Sequence, residues 1–186
     1  MPNESNHVLV TGANRGIGLE LCRQLKEQGQ QVTAVCRSSS AELDALGVSV
    51  IEDCDVADVK SVQQMAEKLG DQKIDVLINN AGVLSHNALG SIDYETVLQQ
   101  YKVNAMAPLM VTEAMLDHLN PDAKVAIVTS RMGSMADNDS GGHYGYRMSK
   151  AAVNMAGTSL AADLKPKGIA VGLLHPGYVQ TDMTGN

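Results

Sequence analysis

Short apolar runs alternate with longer amphipathic stretches along almost the whole chain, and few folds accommodate that pattern. Residues 7–11 form a β-branched run that stops at Gly12 and read as a buried strand. Beyond Gly16, the apolar residues Ile17, Leu21 and Leu25 recur every fourth position until Gly29, which marks one face of a helix. The same reading predicts strands at 31–36, 48–52, 74–78, 124–129 and 169–174. It predicts further helices along Val59, Val62, Ala66 and Leu69, over 94–119 with a kink at Pro108, and over 143–164. Strands that exchange with helices require right-handed crossovers and a parallel sheet covered on both faces. The expected fold class is therefore α/β, a doubly wound parallel sheet forming one domain over residues 1–186. Ligands are expected beyond the carboxyl ends of its strands.

Composition removes several function classes. Of the 186 residues, 44% are hydrophobic, enough for a core, and that core is aliphatic because Phe and Trp are absent. With tyrosine as the only aromatic residue there are few platforms for stacking bases, and a net charge of −7 opposes a surface that tracks phosphates. No nucleic-acid partner is expected. Cys22, Cys36 and Cys54 form no CxxC pair and read as reduced, buried thiols. The five histidines have no metal-ligand spacing, so no metal is expected. The polar start lacks a basic n-region and no apolar run approaches a membrane span. A cytoplasmic protein without a membrane partner is expected.

The first turn reads Thr11-Gly12-Ala13-Asn14-Arg15-Gly16-Ile17-Gly18, between a strand and a helix. Glycines there let the backbone turn sharply and approach a pyrophosphate with no Cβ in the way. The helix N-terminus adds unpaired N–H groups and a partial positive charge. Gly12, Asn14, Arg15, Gly16, Ile17 and Gly18 are thus candidate dinucleotide-binding residues of a Rossmann-like fold. An NAD site usually carries an acidic residue at the end of the second strand. Here Cys36 and Arg37 stand there. Arg15 and Arg37 suit the 2′-phosphate of NADP by charge and by forked donor geometry, so NADP(H) is expected in preference to NAD(H). Asp55 and Val56, after the third strand, could meet the adenine edge, and Asp55 could equally cap the next helix.

Tyr146 and Lys150 stand four residues apart on a predicted helix and so share a face. A free phenol titrates near about 10, and an adjacent ammonium is expected to lower that value toward the working range. Lys150 could also hold the nicotinamide ribose. Ser130, at the end of the fifth strand, could polarise a substrate carbonyl or could be a strand-end turn residue. The Asn104 amide could anchor a water relaying protons to Lys150, or be a satisfied polar group. Tyr144 has Met148 rather than a cation at i+4, and is assigned to the cleft wall or to packing.

Taken in order, TGxxxGxG at Thr11 to Gly18, NNAG at Asn79 to Gly82, Asn104, Ser130, YxxxK at Tyr146 to Lys150 and Pro176-Gly177 running to Thr181 resemble the short-chain dehydrogenase/reductase family in its compact form. The texture around Ser130 to Ser134 and Tyr144 to Lys150 is similar to C-factor-like carbonyl reductases. The resemblance implies Asn104, Ser130, Tyr146 and Lys150 as a catalytic tetrad. It adds Asn80, Ala81, Gly82, Pro176, Gly177, Val179 and Thr181 to the cofactor-binding candidates. It further implies a small-molecule carbonyl or alcohol substrate and a homodimer or tetramer. Family members continue past Thr181 through a substrate-covering loop and a helix to a seventh strand, so a sheet lacking that last strand is expected here. The alternative function is a non-catalytic NADP-binding signalling or regulatory module of the same fold.

Overall fold

The computed structural model describes residues 5–183 and residue 185. Six parallel strands form one sheet in the order β3-β2-β1-β4-β5-β6. They are β1 His7–Thr11, β2 Gln31–Val35, β3 Ser49–Ile51, β4 Ile74–Asn79, β5 Leu119–Val128 and β6 Ala170–Leu174. The helices are α1 Gly16–Glu27, α2 Ala41–Leu46, α3 Val59–Leu69, α4 Tyr94–Tyr101, α5 Ala107–Ala114 and α6 Tyr144–Leu164. This is the expected doubly wound α/β sheet. The order of strands reverses between β1 and β4, which pair in parallel from Val8 with Val76 to Val10 with Ile78. A crevice opens outside the carboxyl ends at such a reversal, and it is where this fold class places ligands.

The period-2 alternation of the strands sorts two cores. Val8, Val10, Val32, Ala34 and Ile78 face one side, where they pack with Cys22 of α1 and Leu43 of α2. Leu9, Val35, Leu77, Val125 and Ile127 face the other, against Val62 and Met65 of α3, Val111 of α5 and Val153 of α6. The helices begin and end on local chemistry. Ser40 Oγ accepts from Leu43 N at the start of α2, Asp58 from Ser61 N at α3, and Asp93 from Glu95 N and Thr96 N at α4. Gly47 stops α2 at φ +61. None of the helices among the described residues is long and apolar enough to cross a membrane.

Two sequence expectations need correction. Helix α2 is absent from the expected elements, because six residues carry too short a stripe for helical periodicity; its signal is the pair of caps, Ser40 and Gly47. The long helix expected over 94–119 is three pieces, α4, a π turn at Lys102–Met106, and α5. Leu119 already belongs to β5, paired with Ile74. Ala107 N–H donates five residues back, to the Lys102 carbonyl, and Pro108 has no N–H to give the Asn104 carbonyl. The interruption expected at Pro108 is therefore centred one turn earlier, on Asn104.

Candidate active site

The glycine turn is locked from β4. Thr11 Oγ1 accepts from Asn80 N at 3.1 Å and Ala81 N at 3.2 Å, while Asn80 Nδ2 donates to the carbonyls of Thr11 and Gly12 at 3.0 and 3.1 Å. Two glycines are demanded by space. A Cβ on Gly18 would lie 2.2 Å from the Gly12 carbonyl oxygen, and one on Gly12 would lie 2.8 Å from Ala81 Cα. At the mouth of the turn α1 begins with no side-chain cap and no acidic residue in its first turn. Its first N–H groups and positive dipole end thus lack a cap from the Arg15 side chain. That is a cradle that fits a pyrophosphate.

The remaining cofactor candidates are spread over several elements. Asn14 Nδ2 donates to Ser38 O at 3.0 Å, which ties the glycine turn to the end of β2 where Arg37 is exposed. Arg15 is exposed as well and pairs with Asp182 at 3.7 Å. Ile17 is half-buried. Thr181 lies against the same turn, its Cγ2 3.6 Å from where a Gly16 Cβ would stand. Pro176 and Gly177 are exposed beyond β6, and Val179 is half-buried. Asp55 Oδ1 accepts from Ala57 N, closing a small turn, whereas Asp58 caps α3. Val56 is buried in the core, which leaves its backbone as what it can offer a ligand.

On the other side of the crevice three elements meet. Ser130 follows β5, and its Oγ accepts from Met132 N at 3.2 Å, shaping the single turn Arg131–Gly133. Gly133 lets that turn press on α6, since a Cβ there would lie 2.6 Å from the Lys150 carbonyl carbon. Ser130 stands close enough to the Tyr146 phenol to pull its pKa down, but burial outweighs this and the net shift is upward. Lys150 is 4% exposed, its Nζ donates to Val128 O at 2.9 Å, and it stands 5.6 Å from the centre of the Tyr146 ring. Burial pulls the Lys150 ammonium down to about 8. The expected depression of the phenol by this lysine is thus not what the protein alone shows. The ammonium bonds a strand-end carbonyl instead of the phenol oxygen, and both groups are disfavoured as ions by burial.

Asn104 also behaves differently from expectation. Its Oδ1 accepts from Val83 N at 2.8 Å, and both amide hydrogens are committed, to Val83 O at 2.8 Å and Ser149 Oγ at 3.0 Å. The side chain clasps the loop after β4 to α6. Gly82 makes room for this, because a Cβ there would lie 3.3 Å from Asn104 Oδ1 and 3.9 Å from Lys150 Nζ. The sequence reading missed the supporting polar residues Gln100, Asn87 and Ser149. Gln100 is fully buried and bonds Ser85 N and Asn87 Oδ1, and its signal was the polar pair Gln100 and Asn104 at spacing four on an otherwise buried face. Tyr144 sits two residues from Tyr146, about 200° around the helix, and is half-buried.

A doubly wound parallel sheet with an open glycine turn on one wall of its switch-point crevice and a Ser–Tyr–Lys group on the other defines a dinucleotide-binding oxidoreductase fold. The sequence match makes this specific: the family model of the short chain dehydrogenases covers residues 6–186, and the chain belongs to that family of oxidoreductases. It is 45% identical over 179 residues to the 1-hydroxy-2-glutathionyl-2-methyl-3-butene dehydrogenase of Rhodococcus sp. strain AD45, covering 95% of this chain and 79% of that one. It is 56% identical over 115 residues to the C-signal protein of Myxococcus xanthus, covering 60% of this chain and 69% of that one. Among solved structures, the NADPH-bound carbonyl reductase from chicken fatty liver superposes with a TM-score of 0.88 at 30% identity, covering 98% of this chain and 83% of that one.

Proposed function

We propose that the protein is an NADP(H)-dependent reductase of small carbonyl compounds, with Tyr146 as the acid that protonates the carbonyl oxygen. The observation that carries this reading is the Tyr146 phenol with Ser130 near it and Lys150 buried beside its ring, on the same sheet that carries the glycine turn. Gly12, Asn14, Gly16, Ile17 and Gly18 would hold the pyrophosphate, Arg15 and Arg37 the 2′-phosphate, and Asn80, Ala81, Gly82, Pro176, Gly177, Val179 and Thr181 would line the rest, with Asp55 and Val56 at the adenine end. When bound, the nicotinamide supplies the hydride for reduction or accepts it for oxidation.

This chain's own residues manage the proton and the oxygen. Burial keeps the Tyr146 phenol protonated at neutral pH, which readies it to donate to an oxygen that gains negative charge. Ser130 Oγ would present a second donor to that oxygen. Lys150 holds a positive charge beside the ring, which favours the phenolate left after donation, and it would bond the nicotinamide ribose. A proton must then return to Tyr146. The Asn104 carbonyl, which Pro108 cannot serve as the i+4 donor, would accept from a water on that route, while the Asn104 amide serves the scaffold. A carbonyl panel assayed with NADPH deuterated at C4 tests the reading. Deuterium on the product carbinol carbon supports it, whereas binding of NADPH without any turnover favours a cofactor-controlled regulatory module.

A further inference from the structure

A hollow of about 210 Å³ is lined by Arg131, Met132, Asp137, Asp139, Ser140 and Arg147. Its two cations are the chain neighbours of the catalytic pair, Arg131 following Ser130 and Arg147 following Tyr146. They are not equivalent. Arg131 Nε pairs with Asp137 at 3.0 Å, so its charge is balanced and it pins the loop. Arg147 is held by two neutral acceptors, Nη2 on Ser140 Oγ at 2.9 Å and Nε on Gly141 O at 3.3 Å. Among the described residues no carboxylate lies within ion-pair distance of it. Arg147 is half-buried, fixed in direction by those two bonds, and makes no ion pair of its own among those residues, while Asp137 and Asp139 line the same hollow.

We propose that this cavity is a substrate subsite for a carboxylate, with Arg147 as the residue that selects carbonyl compounds bearing an acidic tail. The proposal rests on the reductase reading above and names the substrate class for it. A guanidinium whose fork is partly free favours a planar carboxylate, which accepts two parallel N–H bonds. Asp137 and Asp139 in the same lining set the upper limit of charge. They repel a phosphate monoester, which carries nearly two negative charges at neutral pH, more strongly than a monoanion. Met132 supplies an apolar patch for the carbon chain between the carbonyl and the acid.

The test compares 4-formylbenzoate with its methyl ester, which share an aldehyde and differ in one charge. The expected result is a kcat/KM with NADPH about tenfold to hundredfold higher for the acid, the range of a charge-assisted bidentate contact. Arg147→Leu brings the acid-to-ester ratio to within about threefold of one, and Arg147→Lys restores part of it. Asp139→Asn moves the ratio the other way, upward by about twofold to fivefold, because an exposed opposing charge has been removed. A merely structural role for the loop would lower both substrates together and produce no rise in Asp139→Asn. Equal kcat/KM for acid and ester in the natural protein overturns the subsite. Calorimetric titration of both compounds in the presence of NADP+ separates the two levels of the argument. Preferential binding of the acid without turnover sinks the reductase reading and upholds the subsite, and equal binding sinks the subsite alone.

Discussion

Lys150 is a cation kept in a place that disfavours cations, and replacing it by methionine should stabilise the protein while ending its activity. Its pKa falls from 10.5 to about 8 through burial. At about 1.4 kcal/mol per unit, the ammonium form costs the folded state about 3 kcal/mol at neutral pH. A methionine side chain would fill much of the same volume and lose the bond to Val128 O, a loss of about 1 kcal/mol. The Lys150→Met variant should therefore be more stable by about 2 kcal/mol at about pH 7. The pH dependence is the sharper test. For a lysine with a depressed folded value, the penalty is present below about 8 and is relieved as pH rises toward 10.5, because the unfolded chain there binds the proton that the folded one has lost. Tyr146 and the three cysteines, whose folded values are raised by burial, stabilise below their unfolded values and lose that contribution as pH rises. Both proteins share those groups, so they cancel in the difference. Urea unfolding followed by circular dichroism should show the variant's advantage shrinking by about 2 kcal/mol between about pH 7 and about pH 9.5. An advantage that stays constant across that interval would refute the buried-ammonium argument.

Four further outcomes follow from the same geometry. Gly18→Ala places a methyl 2.2 Å from the Gly12 carbonyl oxygen, and should cost about 1–3 kcal/mol in urea unfolding and weaken NADPH binding in a fluorescence titration. Arg37→Ser should weaken NADPH about tenfold or more while changing NADH by less than about threefold, and a tighter grip on NADH than NADPH in the natural protein would contradict the role given to Arg15 and Arg37. Ser130→Ala should lower kcat by about a hundredfold with NADPH affinity nearly intact. Asn104→Ala removes the bonds to Val83 N and Val83 O and one of the two at Ser149 Oγ, and should lower stability by about 2–4 kcal/mol, seen as an earlier melting transition before any assay of turnover.

The parts of this fold that were legible in the sequence are those whose pattern extends over several residues. The six strands and helices α1, α3 and α6 announce themselves by repeated apolar spacing, and the glycine turn by its place between β1 and α1. The break at Asn104 was not legible, because a π turn changes one hydrogen-bond partner without changing the polar pattern. The direction of the Tyr146 shift was misjudged because sequence supplies the spacing of Tyr146 and Lys150 but not their burial, and burial decides the sign. The meeting of Thr181 and Asp182 with Gly16 and Arg15 joins segments more than 160 residues apart, which the local reading could not bring together.

The most direct test of the account removes one oxygen atom. Tyr146→Phe, assayed for NADPH oxidation against the best carbonyl of the panel and titrated in parallel for NADPH binding, should lose turnover by about a thousandfold or more and keep cofactor affinity within about twofold. Turnover close to that of the natural protein, with the phenol gone, would contradict the assignment of Tyr146 as the proton donor.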